Sequence, residues 1–345
     1  MRLEISIILP KGTCMRKIPF IICGGYFFIM KPFKSLDEQI EILKNRELNF
    51  NDENAAKNYL LHNNYYNIIN CYSKYFLNSN EKYISETYFE NIIDVHHFDK
   101  NIKSIFFRFI TEVEKTFKSV FAFRYSEYFK DIRYSYLDIN NYDSNKILKV
   151  SKNISQLSNI ISIKSNQENN SIAHYVENHG DVPMWILINN LTFGQTSRLY
   201  SYMPMKLKNK IAKDLSYFLK INVNDEKAIL EPDQLESYLI NLVEFRNIIA
   251  HNNKIIDYKF IKHNRYNKFL HDSSNTAKNA PRNDVFNAFI SMKCFLTNQE
   301  FIQLNNSLRK RFEKLKRKTN PIVYKKIAND LGFTIQLPKL EQNEN

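Results

Sequence analysis

The sequence predicts an all-α protein, a multi-helix bundle built round one long central helix. Gly 6 and Pro 9 are few for 345 residues, too few for the many tight turns of an all-β fold. From Asp99 to about Phe129, Ile102, Ile105, Phe106, Phe109, Ile110, Val113, Phe117, Val120 and Phe121 recur at helical spacing and form the broadest apolar stripe in the chain. Helix-start signatures then recur along the sequence, each followed by apolar residues three and four apart.

In order, Ser35-Leu36-Asp37-Glu38 reads as a capping box that opens a helix to about Arg46, with Leu36, Ile40 and Leu43 inward. Asn51-Asp52-Glu53 starts a second helix, which runs into Tyr65-Tyr66. That tyrosine pair reads as amphipathic core, with a base-stacking platform as the sharper alternative. A third segment, Glu86 to Val95, precedes His96-His97. Adjacent histidines point to different helix faces, which makes a poor chelate, so one is expected packed and one exposed. Residues 138–180 are rich in Asn, Ser and Lys, weakly helical around Ile147–Ile163 with a break at Asn166–Asn170, and read as an insertion or mobile loop. Pro183 suits a first helical turn, Trp185 reads as a core anchor, and Gly194 as a helix stop or tight turn. Helices follow over Lys206–Leu219 and from Asp284 onward. Arg309-Lys310-Arg311 and Lys314 to Lys318 form a basic run, either a solvated helix face or a phosphate-contacting one.

The chain is long enough for one large or two modest domains. The expected layout is an extension over 1–29, a helical domain over 30–300 and a basic segment over 301–345. The apolar run Ile18–Met30 is too short to span a membrane as a helix, and Met30 reads as the true start. The formal net charge of +13 favours a polyanion partner, RNA or DNA, although AT-rich codons supply part of the lysine. Cys14, Cys23, Cys71 and Cys294 lack metal-ligand spacing and read as reduced thiols of a cytoplasmic protein. There is no Gly-rich phosphate loop, zinc motif, nucleophile elbow or internal repeat.

One stretch stands out. Pro232-Asp233-Gln234-Leu235-Glu236 reads as a helix start with Asp233 as N-cap. Leu235, Leu239, Leu242, Val243, Ile249 and Ala250 share a face, and Arg246 falls in the middle of it. A charge there is costly unless it is paired, faces a cleft or lies at an interface. Pairing with Glu244 or Glu236 is the plain alternative. Asn247 and His251 lie well round the helix from Arg246. For both ends to meet one ligand, the helix must end near Asn252-Asn253 or a second copy must face the first.

Several pieces together resemble the bacterial Abi (abortive-infection) family, whose fold belongs to the HEPN group of helical nucleases. They are Asp37 to Arg46, Asn64-Tyr65-Tyr66, Phe98 to Lys103, Glu114 to Lys118, Pro183-Met184-Trp185, Leu191-Thr192-Phe193-Gly194 and Arg246-Asn247-Ile248-Ile249-Ala250-His251. The likeness covers roughly residues 31–300. A looser arginine-to-histidine spacing recurs at Arg265 and His271, without Asn after the arginine. The resemblance implies metal-independent RNA cleavage, with no cofactor. A ribose 2′-OH attacks its own phosphate, leaving a 2′,3′-cyclic phosphate and a 5′-OH. His251 would move protons, Arg246 would stabilise phosphoryl charge, and Asn247 would position either through its amide. RNA contacts are expected at Lys103 and Lys118, where arginines are more usual, and at Arg309, Lys310 and Arg311. One motif per chain implies a two-fold homodimer, with the stripe round Arg246 as interface. A non-catalytic RNA-binding module, or a toxin held by a cognate RNA or protein, is the competing expectation.

Overall fold

A computed structural model describes residues 33–341. The extension expected over 1–29 lies outside the described residues. Among the described residues there is no strand, only the isolated bridges Asn49–Tyr88 and Leu77–Tyr83. The helices are α1 (Leu36–Asn45), α2 (Glu53–Asn63), α3 (Phe89–Tyr128), α4 (Ile147–Ser165), α5 (Ser171–His179), α6 (Met184–Leu187) and α7 (Phe193–Ser201). They continue as α8 (Met205–Val223), α9 (Pro232–Ala250), α10 (Lys268–Asp272), α11 (Val285–Ser291), α12 (Asn298–Lys318) and α13 (Pro321–Asp330). None is long and apolar enough to cross a membrane.

The spine is α3, a single helix of 40 residues and about 60 Å. The sequence reading divides it before Asp99. No Gly or Pro interrupts it, and Val95, Phe98, Ile102 and Phe106 carry the buried stripe straight through the histidine pair. Both α8 and α9 pack on α3. Phe106 meets Phe245 edge-on at 5.0 Å, and Phe117 meets Tyr200 of α7 at 5.8 Å. The capping boxes at Ser35 and Thr192 close as their sequences require, each hydroxyl accepting from the third helical N–H.

Several expectations are corrected. Within 138–180 the helical pattern of Ile147–Ile163 and the break at Asn166–Asn170 hold, as α4 and the turn before α5, but Val150, Leu157 and Ile172 are buried, which ties the stretch to the core. The basic tail is no separate segment. Helix α12 lies along α3 and buries Phe301, Leu304, Leu308, Phe312 and Leu315, with Phe312 against Phe98 at 5.1 Å. Gly194 sits in the first turn of α7 and starts a helix instead of ending one. A β-carbon there would lie 3.3 Å from Val243 Cγ1, so a side chain would hold α7 off α9. Trp185 is not a core anchor. Helix α6 buries Met184 and Leu187 and leaves the indole 52% exposed. Of the tyrosine pair, Tyr65 packs against the core and Tyr66 is exposed.

Candidate functional site

Helix α9 begins two residues earlier than its sequence pattern indicates. Glu231, not Asp233, is the N-cap. Its carboxylate accepts from the backbone N–H of Gln234, whose amide oxygen accepts from the Glu231 N–H at 3.0 Å. Pro232 decides this, because a proline is well placed at the first helical position and so puts the cap before it. Glu236 is thereby free to take the buried ammonium of Lys208. The stripe of Leu235, Leu239, Leu242, Phe245 and Ile249 is fully or almost fully buried inside the chain. It is core, and the expectation that it forms a subunit interface is overturned.

Arg246 lies on the border of this stripe. Leu242 and Ile249 beside it are buried, Val243 is half-buried, and Ala250 is exposed. Neither plain pairing occurs. Glu244 accepts from the Tyr258 hydroxyl at 2.6 Å and faces the Ile261 N–H, while Glu236 holds Lys208. The Arg246 Nε is buried without a partner among the described residues, and Nη1 reaches only the Asn247 side-chain oxygen, at 3.5 Å. A buried guanidinium nitrogen left unpartnered beside an idle fork is costly to keep.

The other end of the motif is built by the helix stop. His251 is the C-cap, and Asn252 follows in the left-handed region at φ 55°. The Asn252 N–H donates to Ile249 O at 2.9 Å and the Asn253 N–H to Ile248 O at 3.1 Å, the paired bonds of a Schellman turn. Asparagine tolerates this backbone where most residues do not. The turn leaves the His251 imidazole exposed and without a hydrogen-bond partner among the described residues. Asn247 is exposed as well. Five residues place Arg246 and His251 roughly 140° apart round the helix.

A buried network ties this turn to α3. Asp99 is fully buried. Its carboxylate accepts from Tyr72 at 3.0 Å and from the backbone N–H groups of Ile255 and Ile256 at 3.1 and 3.2 Å, and it pairs with Lys103 at 3.0 Å. Lys103 in turn donates to both the backbone and side-chain oxygens of Asn252, at 3.2 and 2.9 Å. Burial, and then the neighbouring carboxylate, push the Tyr72 phenol far above its ordinary range, so it remains a donor to Asp99. The residue next to His251 is thus clamped from α3.

This network corrects the reading of Lys103, which is 5% exposed with every nearby acceptor internal. It presents no charge to a nucleic acid. Lys118 is also largely engaged: it pairs with Glu114 at 2.7 Å and donates to Leu191 O at 2.6 Å. On α12, Arg309 pairs with Glu313, whereas Lys310 is exposed and Arg311 half-exposed, neither in an ion pair among the described residues. Asp99 is the residue sequence reasoning missed. The signal was available, because a carboxylate between Val95 and Ile102 on a buried stripe is as anomalous as Arg246.

The second arginine-to-histidine spacing is structural. His271 is fully buried, with Nδ1 accepting from the Asn267 N–H at 3.0 Å, and burial lowers its pKa to about 4. On α3, the Tyr59 hydroxyl lies 2.6 Å from His96 Nδ1 and 3.2 Å from His97 Nε2, so one ring is half-buried and the other exposed. Among the described residues no group of three or more His, Cys, Asp or Glu side chains is placed to hold a metal ion.

A family model described as Abi-like protein matches residues 58–257, more than half of the 345-residue chain. The chain belongs to the Abi-like protein family. The matched span of this Abi-like chain begins just before Tyr59 and ends at Asp257. It therefore holds α3, the Asp99–Lys103 pair and the whole Arg246–His251 turn, and it leaves out α1, α12 and α13. Comparison with curated proteins and with solved structures gave no match.

Proposed function

We propose that the chain is a phage-defence endoribonuclease that cuts RNA without a metal ion, using Arg246, Asn247 and His251. The observation that supports this is the idle guanidinium. Both carboxylates that could neutralise Arg246 are engaged elsewhere, and the histidine of the same motif is held outward by a helix stop. In the reaction the ribose 2′-oxygen bonds to phosphorus and the 5′-oxygen leaves. One imidazole takes the 2′ proton and another returns a proton to the leaving oxygen. Arg246 stabilises the charge that grows on the non-bridging oxygens, and the Asn247 amide steadies its fork.

Two proton transfers on opposite sides of one phosphate suit two imidazoles. The angular separation of Arg246 and His251 on a single helix also suits a second copy. A two-fold homodimer with both motifs in one cleft meets both needs. The interface would be formed by the exposed turn round Asn247 and His251, since the apolar stripe is occupied by the core. Lys310 and Arg311 remain candidate phosphate contacts.

The test is total RNA incubated with purified protein in EDTA. Cutting that yields 2′,3′-cyclic ends and disappears in Arg246→Ala and His251→Ala supports the reading. Salt-dependent RNA binding that survives both changes, with no cutting by the wild type, makes the protein a binding module instead. Cutting by a strict monomer removes the shared cleft.

A further inference from the structure

We propose that the open groove between α3 and α6 binds a single-stranded segment of RNA, with bases stacked on Trp185 and Phe123. The inference rests on the reading that RNA is this protein's ligand and says where and in what form it lies.

The groove has a volume of about 1060 Å³ and is lined by both aromatic rings. Phe123 is 64% exposed and Trp185 is 52% exposed, although the chain buries most of its other large aromatics. Neither ring is displaced by poor packing. Met184 and Leu187 anchor α6 in the core, Ala122 and Phe121 anchor α3, and the two rings project from well-buried backbones. Two outward aromatic rings in one concave face make a stacking platform, which holds any base because every base has a π face.

The polar lining favours an anionic guest. Glu114 is neutralised by Lys118 at 2.7 Å, and Glu127 by Arg124 at 2.9 Å and Lys210 at 3.1 Å. Lys130 lies exposed on the rim with no ion-pair partner among the described residues. Lys115, 79% exposed, pairs with Glu112 at 3.2 Å, and Arg124, held by Asp214 and Glu127, lies 5.3 Å from the Phe123 ring. The Ser126 hydroxyl, also in the lining, is buried without a partner. The chain's formal charge of +13 favours a polyanion. A duplex is excluded by the stacking itself, because paired bases already cover one another's faces.

The chain has one tryptophan, so its emission reports on this groove alone. The probe is a 12-nucleotide strand, fully 2′-O-methylated so that it cannot be cut, with the same sequence as a duplex for comparison. The expected result is saturable quenching by the single strand and not by the duplex. By anisotropy of a labelled strand, Trp185→Ala and Phe123→Ala should each weaken binding about tenfold, while Trp185→Phe retains most of it. Both side chains are exposed, and unchanged thermal unfolding confirms that the variants fold.

Strand binding with no change in emission, and with equal affinity in both alanine variants, overturns the proposal. So does the absence of any strand binding. An emission change that follows protein concentration without RNA also overturns it and assigns the groove to a second copy. An unmodified strand run in parallel separates the two readings. Cutting without quenching leaves the nuclease standing and removes the groove; quenching without cutting does the reverse.

Discussion

Replacing Lys103 with methionine separates a structural lysine from an RNA contact. The ammonium is 3.0 Å from a fully buried carboxylate and holds two oxygens of Asn252. Methionine fills the volume but strands the Asp99 charge. Breaking a buried pair costs about 3–5 kcal/mol. Three donors remain on Asp99, from Tyr72, Ile255 and Ile256, which argues for the lower end, about 3 kcal/mol. Asp99→Asn should cost a similar amount. The double variant removes both charges together, so it should fall well short of the sum, with a coupling of about 2 kcal/mol. Urea unfolding followed by circular dichroism measures all four corners of the cycle. A cost below about 1 kcal/mol for Lys103→Met, or additivity within about 0.5 kcal/mol, would refute the buried-network account. If Lys103 instead met a phosphate, stability would hold and the salt dependence of RNA binding would weaken by about one counterion.

Arg246→Met should abolish cutting, by about 100-fold or more, yet leave stability unchanged or raise it by up to about 1 kcal/mol, because it deletes a buried nitrogen with no partner. Parallel cleavage and urea measurements check this; a loss above about 2 kcal/mol would mean that the guanidinium has an internal role. Gly194→Val should destabilise by about 1–3 kcal/mol through its clash with Val243, and Val243→Ala should recover much of that in the double variant. His271 gives a pH signature. Its folded pKa of about 4 lies below the ordinary value of 6.5, so on acidification the unfolded chain takes up a proton that the folded chain refuses. Stability should therefore fall between about pH 6.5 and 4 by up to about 3 kcal/mol, and the slope should shrink in His271→Leu; an unchanged slope would show that His271 is not its source.

What the sequence determined by itself is the local code. Helix starts at Ser35 and Asp52 follow from side chains that satisfy nearby backbone donors, and the apolar stripe of α3 from Asp99 onward follows from its periodicity. The anomaly of Arg246 was legible for the same reason, since a charge beside buried leucines violates the pattern of its own helix. Tertiary structure decided everything that depends on which neighbour fills a face. Lys103 looked like a surface cation because nothing in its own helix reveals that the Asn252 turn and the Asp99 carboxylate close over it. Trp185 looked like core because its size predicts burial, yet the short α6 turns Met184 and Leu187 inward, packs Ile186 at the core's edge and leaves the indole outside. Helix α12 read as a basic segment with a solvated or phosphate-contacting face because its charges dominate the composition, whereas Phe301 to Leu315 on its other face complete the covering of α3. Periodicity assigns a residue to a face; only the packed neighbours say whether that face meets protein, a ligand or water.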